Sequence, residues 1–254
     1  MDESVSNNNF KPAIIIPVYN HEDAISTTLD EVLVYGYPIV LVNDGSSEAC
    51  TKVLQTLANR HNESVHLLHL NTNSGKGAAV KSGMKYLLEQ GFSHALQVDA
   101  DGQHNVTDIP VFMRTAELSP ASIISGYPIY DQSVPRHRYY ARYLTHVWVW
   151  INTLSFTIKD SMCGFRVYPL HLICAQLNKS PCGDRMDFDT EIIVRWIWTG
   201  HPVKNIPTRV RYPENGISHF NAVKDNLLIS WMHTRLFFGM VWRLPPLLWR
   251  KFNG

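Results

Sequence analysis

Two aspartates one residue apart, Asp99 and Asp101, follow the apolar run Leu96-Gln97-Val98 and lead into Gly102-Gln103-His104. In an extended segment residues i and i+2 share a side, so both carboxylates can converge on one point. Carboxylates that close repel, and a hard divalent cation shared with substrate phosphates relieves them. A metal-diphosphate site is one reading of this pair. A plain turn is the other, because Asp-Ala-Asp-Gly is good turn chemistry without a ligand. Gly75-Lys76-Gly77 raises the same choice. Backbone N–H groups and a lysine at the start of a helix suit phosphate, yet the segment also serves as a strand-helix connection. It is not a Walker A loop, since Gly77 follows Lys76, and no Gly-x-Gly-x-x-Gly follows the first strand. Asp44 ends another apolar run, where it can accept hydrogen bonds from a base or ribose or close a turn within Asn43-Asp44-Gly45-Ser46.

The elements that must position these residues alternate. Ala13–Pro17, Ile39–Asn43, Val65–Leu70, Ala95–Val98 and Ser122–Ser125 are short apolar runs of the kind found in parallel strands covered on both faces. Between them Glu22–Val34, Glu48–Arg60, Gly77–Gln90 and Thr107–Leu118 have helix length, some preceded by capping residues such as Ser47. The order predicts an α/β fold with a right-handed, mostly parallel central sheet flanked by helices, and such sheets bind ligands beyond the carboxyl ends of their strands. The polar motifs stand at those ends. Beyond about residue 127 the chain becomes aromatic and basic, with Pro135–Arg142 leading into an expected helix through Tyr143, Val147, Ile151 and Leu154 and a second near residues 188–198, which build an acceptor side onto the same sheet.

A chain of 254 residues with a formal charge of +1 has a full core and lacks the broad basic surface of a nucleic-acid binder. Its four cysteines show no zinc spacing and no disulfide density. Met1–Phe10 carries no apolar signal segment, and the expected location is the cytoplasm. The expected division is a flexible stretch 1–11, a catalytic unit 12–222 and an amphipathic C-terminal extension 223–254. In that extension Trp231, Phe237, Trp242 and Trp249 are interleaved with Arg235, Arg243, Arg250 and Lys251. That mixture suits a helix lying at a membrane interface, a helix packed on the core, or an oligomer contact.

Taken in order, Pro17-Val18-Tyr19-Asn20, Asn43-Asp44-Gly45-Ser46, Gly75-Lys76-Gly77, Asp99-Ala100-Asp101-Gly102-Gln103 and Asp160-Ser161-Met162-Cys163-Gly164-Phe165-Arg166 resemble the family 2 glycosyltransferases of GT-A fold. The resemblance is nearest to the dolichol-phosphate mannosyltransferase and polyprenyl-phosphate glycosyltransferase group. It implies that Pro17, Tyr19, Glu22 and Asp44 frame a nucleotide, with Gly75 and Lys76 beside it. It also implies that Asp99, Asp101 and Gln103, as a DXD motif, hold Mg²⁺ or Mn²⁺ against the diphosphate of a GDP- or UDP-sugar. Departures from the family pattern are His21 before Glu22, Asn43 for the first Asp of Asp-Asp-Gly-Ser, Cys163 for a usual Ser, and His219 where Lys often stands.

The implied reaction is an inverting, metal-dependent transfer of sugar from a nucleotide to a lipid or lipid-phosphate acceptor by a peripheral membrane enzyme, with Asp101 and Asp160 as catalytic candidates. Arg136 and Arg138 can clamp a leaving diphosphate or an acceptor phosphate bidentately, or form a solvated basic turn. Arg209, Arg211 and His219 fall where the family often has a segment closing over the nucleotide. A hydroxyl acceptor needs a general base and a phosphate acceptor does not, so Asp160 is either that base or the organiser of the Gly164 turn. Asp187, Asp189 and Glu191 are rival carboxylates, although Glu191 has Arg195 at i+4 for an ion pair. The alternatives are a polysaccharide or soluble acceptor, a catalytically impaired nucleotide-sugar binding protein, and a nucleotidyltransferase.

Overall fold

Branched apolar residues at consecutive positions force the first strand to be covered on both faces, and Ala13, Ile14, Ile15 and Ile16 are all fully buried. The computed structural model describes residues 9–129, 136–210 and 222–253. Its first half runs β1 (Pro12–Val18), α1 (Glu22–Leu33), β2 (Ile39–Asp44), α2 (Glu48–Arg60), β3 (Val65–Leu70), α3 (Lys76–Glu89), β4 (His94–Gln97), α4 (Ile109–Leu118) and β5 (Ile123–Ile129). The second half adds α5 (Arg136–Thr153), β6 (Arg166–Pro169), α6 (Leu170–Lys179), α7 (Phe188–Thr199), β7 (Val203–Arg209), α8 (Ala222–Trp242) and α9 (Leu244–Asn253).

The seven strands form one sheet in the order β3-β2-β1-β4-β6-β5-β7. Every pairing is parallel except those of β6, which runs antiparallel to both β4 and β5. This is the expected GT-A type of architecture. Alternate residues of the strands feed two cores. Ala13, Ile15, Val40 and Val42 pack with residues of α3, α6, α7 and α8, while Ile14, Ile16, Leu41 and Leu96 pack with residues of α1, α2 and α4.

Three elements had no counterpart in the sequence reading: β6, α6 and β7. The strand β6 is only four residues long, and Arg166 at its start is fully buried, so its composition gives a weak strand signal. The C-terminal segment is partly core. Met232, Leu236 and Met240 of α8 and Leu247 of α9 join the same buried cluster as β1. Among the described residues no helix is long and apolar enough to cross a membrane.

Candidate active site

Strands β2 and β3 lie to one side of β1 and β4 to the other, so the strand order reverses between β1 and β4. Open α/β sheets bind ligands in the crevice such a reversal opens. The turn after β4 carries the aspartate pair there. β4 stops at Gln97, so both aspartates belong to a turn, and the expectation that strand alternation aligns them is corrected. Asp101 Oδ1 accepts the Gln103 N–H at 3.1 Å while Gly102 takes a φ of +67°, which makes an Asx turn.

Asp99 is engaged differently. Its Oδ2 lies 2.9 Å from Lys76 Nζ and 3.2 Å from His104 Nε2, and its Oδ1 is 3.3 Å from Gln97 Nε2. Burial works against its charge, yet Lys76 and His104 outweigh it and hold the carboxyl well below the usual range. Lys76 Nζ also contacts Asp189 Oδ2 at 2.9 Å, so one ammonium bridges the turn after β4 and the first turn of α7. Desolvation opposes that charge too, but Asp189 and Asp99 raise the lysine well above its ordinary value. Gln97, whose Oε1 accepts from Tyr168, completes the link to Asp189 at 3.4 Å.

The segment from Asp160 to Arg166 forms a neighbouring wall. A Cβ on Gly164 would sit 2.8 Å from both Asp99 oxygens, so only glycine lets this turn touch that carboxylate. Arg166, fully buried, donates to Ser125 Oγ, Ser161 O and Asp189 O, tying β5, the turn and α7 together. Asp160 organises the turn: its Oδ1 accepts the N–H groups of Met162 and Cys163 at 2.8 and 2.7 Å. Arg142 grips the same carboxylate bidentately at 2.6 and 2.8 Å. Burial would raise its pKa, but the His146 contact and Arg142 more than offset this and hold it well below the carboxylate range. A carboxylate so stabilised is a feeble proton acceptor, which favours the second of its two readings, the organiser of the Gly164 turn. Burial pushes the Cys163 thiol up to about 12, so it stays neutral.

The nucleotide side is built from β1 and β2. Pro17 lies in β1 opposite Val42, and half-buried Tyr19 follows the strand. Glu22 opens α1, and its Oε2 is buried with no hydrogen-bond partner among the described residues, an acceptor with capacity to spare. Asp44 is 3 % exposed, and its two oxygens accept the N–H groups of Ser74 and Gly75 at 2.7 and 2.8 Å, clamping the loop that leads into α3. Desolvation raises its pKa despite those bonds. The turn in this stretch is closed by Asn43, whose Oδ1 accepts from Ser46 N three residues on. Gly75 has a φ of +104°, and a Cβ there would lie 2.5 Å from Asp184 O. Lys76 is engaged with carboxylates, so its ammonium is committed within the protein.

Arg136 and Arg138 begin α5, but their side chains lie outside the described residues, as do Arg211 and His219. Arg142, one helical turn after Arg138, is the basic residue that reaches the site. Glu191 forms the expected ion pair with Arg195, at 2.7 Å, and also meets Arg235 of α8. Gln97, His104 and Arg142 had no assigned role in the sequence, and Asp189 stood there only as a rival carboxylate.

Among the described residues no group of three or more His, Cys, Asp or Glu could hold a metal by itself. The donor chemistry still fits a hard cation, because Mg²⁺ is commonly held by one or two carboxylates with substrate phosphates completing its shell. Asp101 and the Gln103 amide are hard oxygen donors beside the crevice, whereas Asp99 already faces the Lys76 ammonium and the His104 ring.

The family model for glycosyl transferase family 2 matches residues 13–182. An uncharacterised protein of Methanocaldococcus jannaschii is 26% identical over 216 residues, which is 83% of this chain and 92% of that protein. A dolichyl-phosphate beta-glucosyltransferase of Dictyostelium discoideum is 29% identical over 207 residues, 73% of this chain, and the match spans 62% of the relative's length. Among solved structures the mannosyltransferase PcManGT of Pyrobaculum calidifontis, in complex with GDP-Man and Mn²⁺, superposes with a TM-score of 0.57 at 14% identity, covering 96% of this chain and 74% of that one. That likeness is one of fold. With the family model matching well over half its length, the chain belongs to glycosyl transferase family 2.

Proposed function

We propose that this chain transfers a sugar from a GDP- or UDP-sugar to a lipid phosphate, with inversion at the anomeric carbon, at a membrane surface. One observation carries the choice of acceptor. Among the described residues, four carboxylates around the Gly164 turn are held by cations, Asp99 and Asp189 by Lys76, Asp160 by Arg142 and Glu191 by Arg195, while Glu22, Asp44 and Asp101 are those the family resemblance gives to the nucleotide and the metal. A hydroxyl acceptor needs its proton removed, whereas a phosphate is already an anion. The dolichyl-phosphate and undecaprenyl-phosphate transferases among the relatives support the same reading, and the match spans 54–62% of their length.

In this mechanism an oxygen of the acceptor phosphate forms a bond to the anomeric carbon as the bond from that carbon to the donor diphosphate breaks. No proton moves. Asp101 and Gln103 would hold Mg²⁺ or Mn²⁺, which when bound supplies Lewis-acid stabilisation for charge developing on the diphosphate. Glu22 and the backbone around Gly75 orient the nucleotide. Lys76 fixes the separation of the β4 turn from α7, and Asp160 fixes the Gly164 turn against Asp99.

The test is nucleoside-diphosphate release from a donor panel, with Mn²⁺ or EDTA, offered a short-chain polyprenyl phosphate in detergent micelles or the matching alcohol. Release is expected only with the phosphate and only without EDTA. Asp101→Asn should lower it at least about 100-fold. Equal turnover of the alcohol would overturn the acceptor assignment.

A further inference from the structure

The helix α8 is apolar on two opposite sides. Met232, Leu236 and Met240 are buried in the core. Leu227, Trp231, Phe238 and Trp242 are exposed, Trp242 by 86%. At about 100° per residue these four fall within an arc of roughly 60°, opposite the buried side. Exposed Leu144 and Trp148 of α5 adjoin the stripe, because the Trp148 ring lies 6.3 Å from Phe237, whose ring is 5.8 Å from that of Phe238. Soluble proteins seldom leave so large a contiguous apolar patch uncovered.

Charge says what covers it. Residues 136–153 and 222–254, which form α5, α8, α9 and their joint, contain eight Arg and Lys against one acidic residue, a formal +7, and that residue, Asp225, is buried. The rest of the chain sums to −6. Arg142 and Arg235 are paired with Asp160 and Glu191, which leaves +5, and a second copy meeting this face symmetrically would still set positive charge against positive charge, which repels. We propose that the outer faces of α5 and α8 dock on a lipid bilayer carrying anionic headgroups. Tryptophans seat at the headgroup level, and basic residues near such a surface are drawn to its anionic headgroups. No described helix is long and apolar enough to span, so the face lies on the bilayer. The same α5 carries Arg142, which holds Asp160, so the catalytic turn stands at the margin of the docked face.

This extends the lipid-acceptor reading without depending on it, since the test uses vesicles free of polyprenyl phosphate. Full-length protein is floated with vesicles of phosphatidylcholine alone or mixed equally with phosphatidylglycerol, at low and high salt. Binding is expected to the anionic vesicles, weakened by salt. The triple variant Trp231→Gln, Phe238→Gln, Trp242→Gln should lose at least about tenfold in partition coefficient, with its melting temperature and its turnover of micellar acceptor unchanged. Flotation of the triple variant like the parent overturns the proposal. So does equal binding to neutral vesicles, no binding at all, or a stable dimer that the three substitutions dissociate. Loss of micellar turnover in the parent would instead count against the acceptor assignment alone.

Discussion

Asp160 is held by four donor groups, two from Arg142 and two from the backbone of Met162 and Cys163. Breaking one side of such a buried pair leaves the other charge stranded, at a cost of about 3 kcal/mol or more. Asp160→Asn and Arg142→Met are therefore each expected to lower stability by about that amount. The double variant should lose clearly less than the sum in urea titrations. A general base would behave otherwise: kcat would collapse in Asp160→Asn with the urea midpoint unchanged. The identity of Asp160 was readable as a motif member, but its partner was not, because Arg142 lies one turn beyond the arginines that the basic run brings forward.

At the scale of the element, the seam between α5 and α8 contains a buried histidine. His233 Nδ1 lies 3.4 Å from Asn152 Nδ2, and burial pushes its pKa down to about 4. The unfolded chain takes a proton near pH 6.5 that the folded seam refuses, so stability falls as pH drops from about 6.5 to about 4, and no further from this source below that. Between pH 7 and pH 5 the parent should lose about 2 kcal/mol more than His233→Phe, read by denaturant unfolding at the two values. Equal losses would mean that His233 is protonated in the folded protein. In the sequence α5 was visible as a periodic apolar segment and α8 only as part of an aromatic and basic extension. Which side of α8 faces the core was not, since both sides carry apolar residues and periodicity alone cannot rank them.

Across the whole molecule, α8 is shared between the core and the proposed docking face. Deleting residues 222–254 removes Met232, Leu236 and Met240 from the cluster that includes β1, together with the Arg235 contact to Glu191. At about 2 kcal/mol for each large apolar side chain, the loss approaches the entire stability of an ordinary domain. The truncated chain is expected to give no cooperative thermal transition by circular dichroism. A truncated protein melting near the parent temperature would show that α8 is an appendage.

What the amino-acid order determined by itself is the alternation of strands and helices through the first half and the placement of Asp44, Gly75, Asp99 and Asp101 beyond strand ends. Local periodicity, capping and turn chemistry are written within a few residues, so they survive without knowledge of the packing. Only the tertiary structure decided which charges meet. Lys76 joins Asp99 to Asp189 across 113 positions of sequence, and β6 enters antiparallel to set the Gly164 turn against Asp99. Ion pairing between distant segments depends on how the sheet closes and on what is desolvated when it does, and neither quantity has a signature in the local pattern.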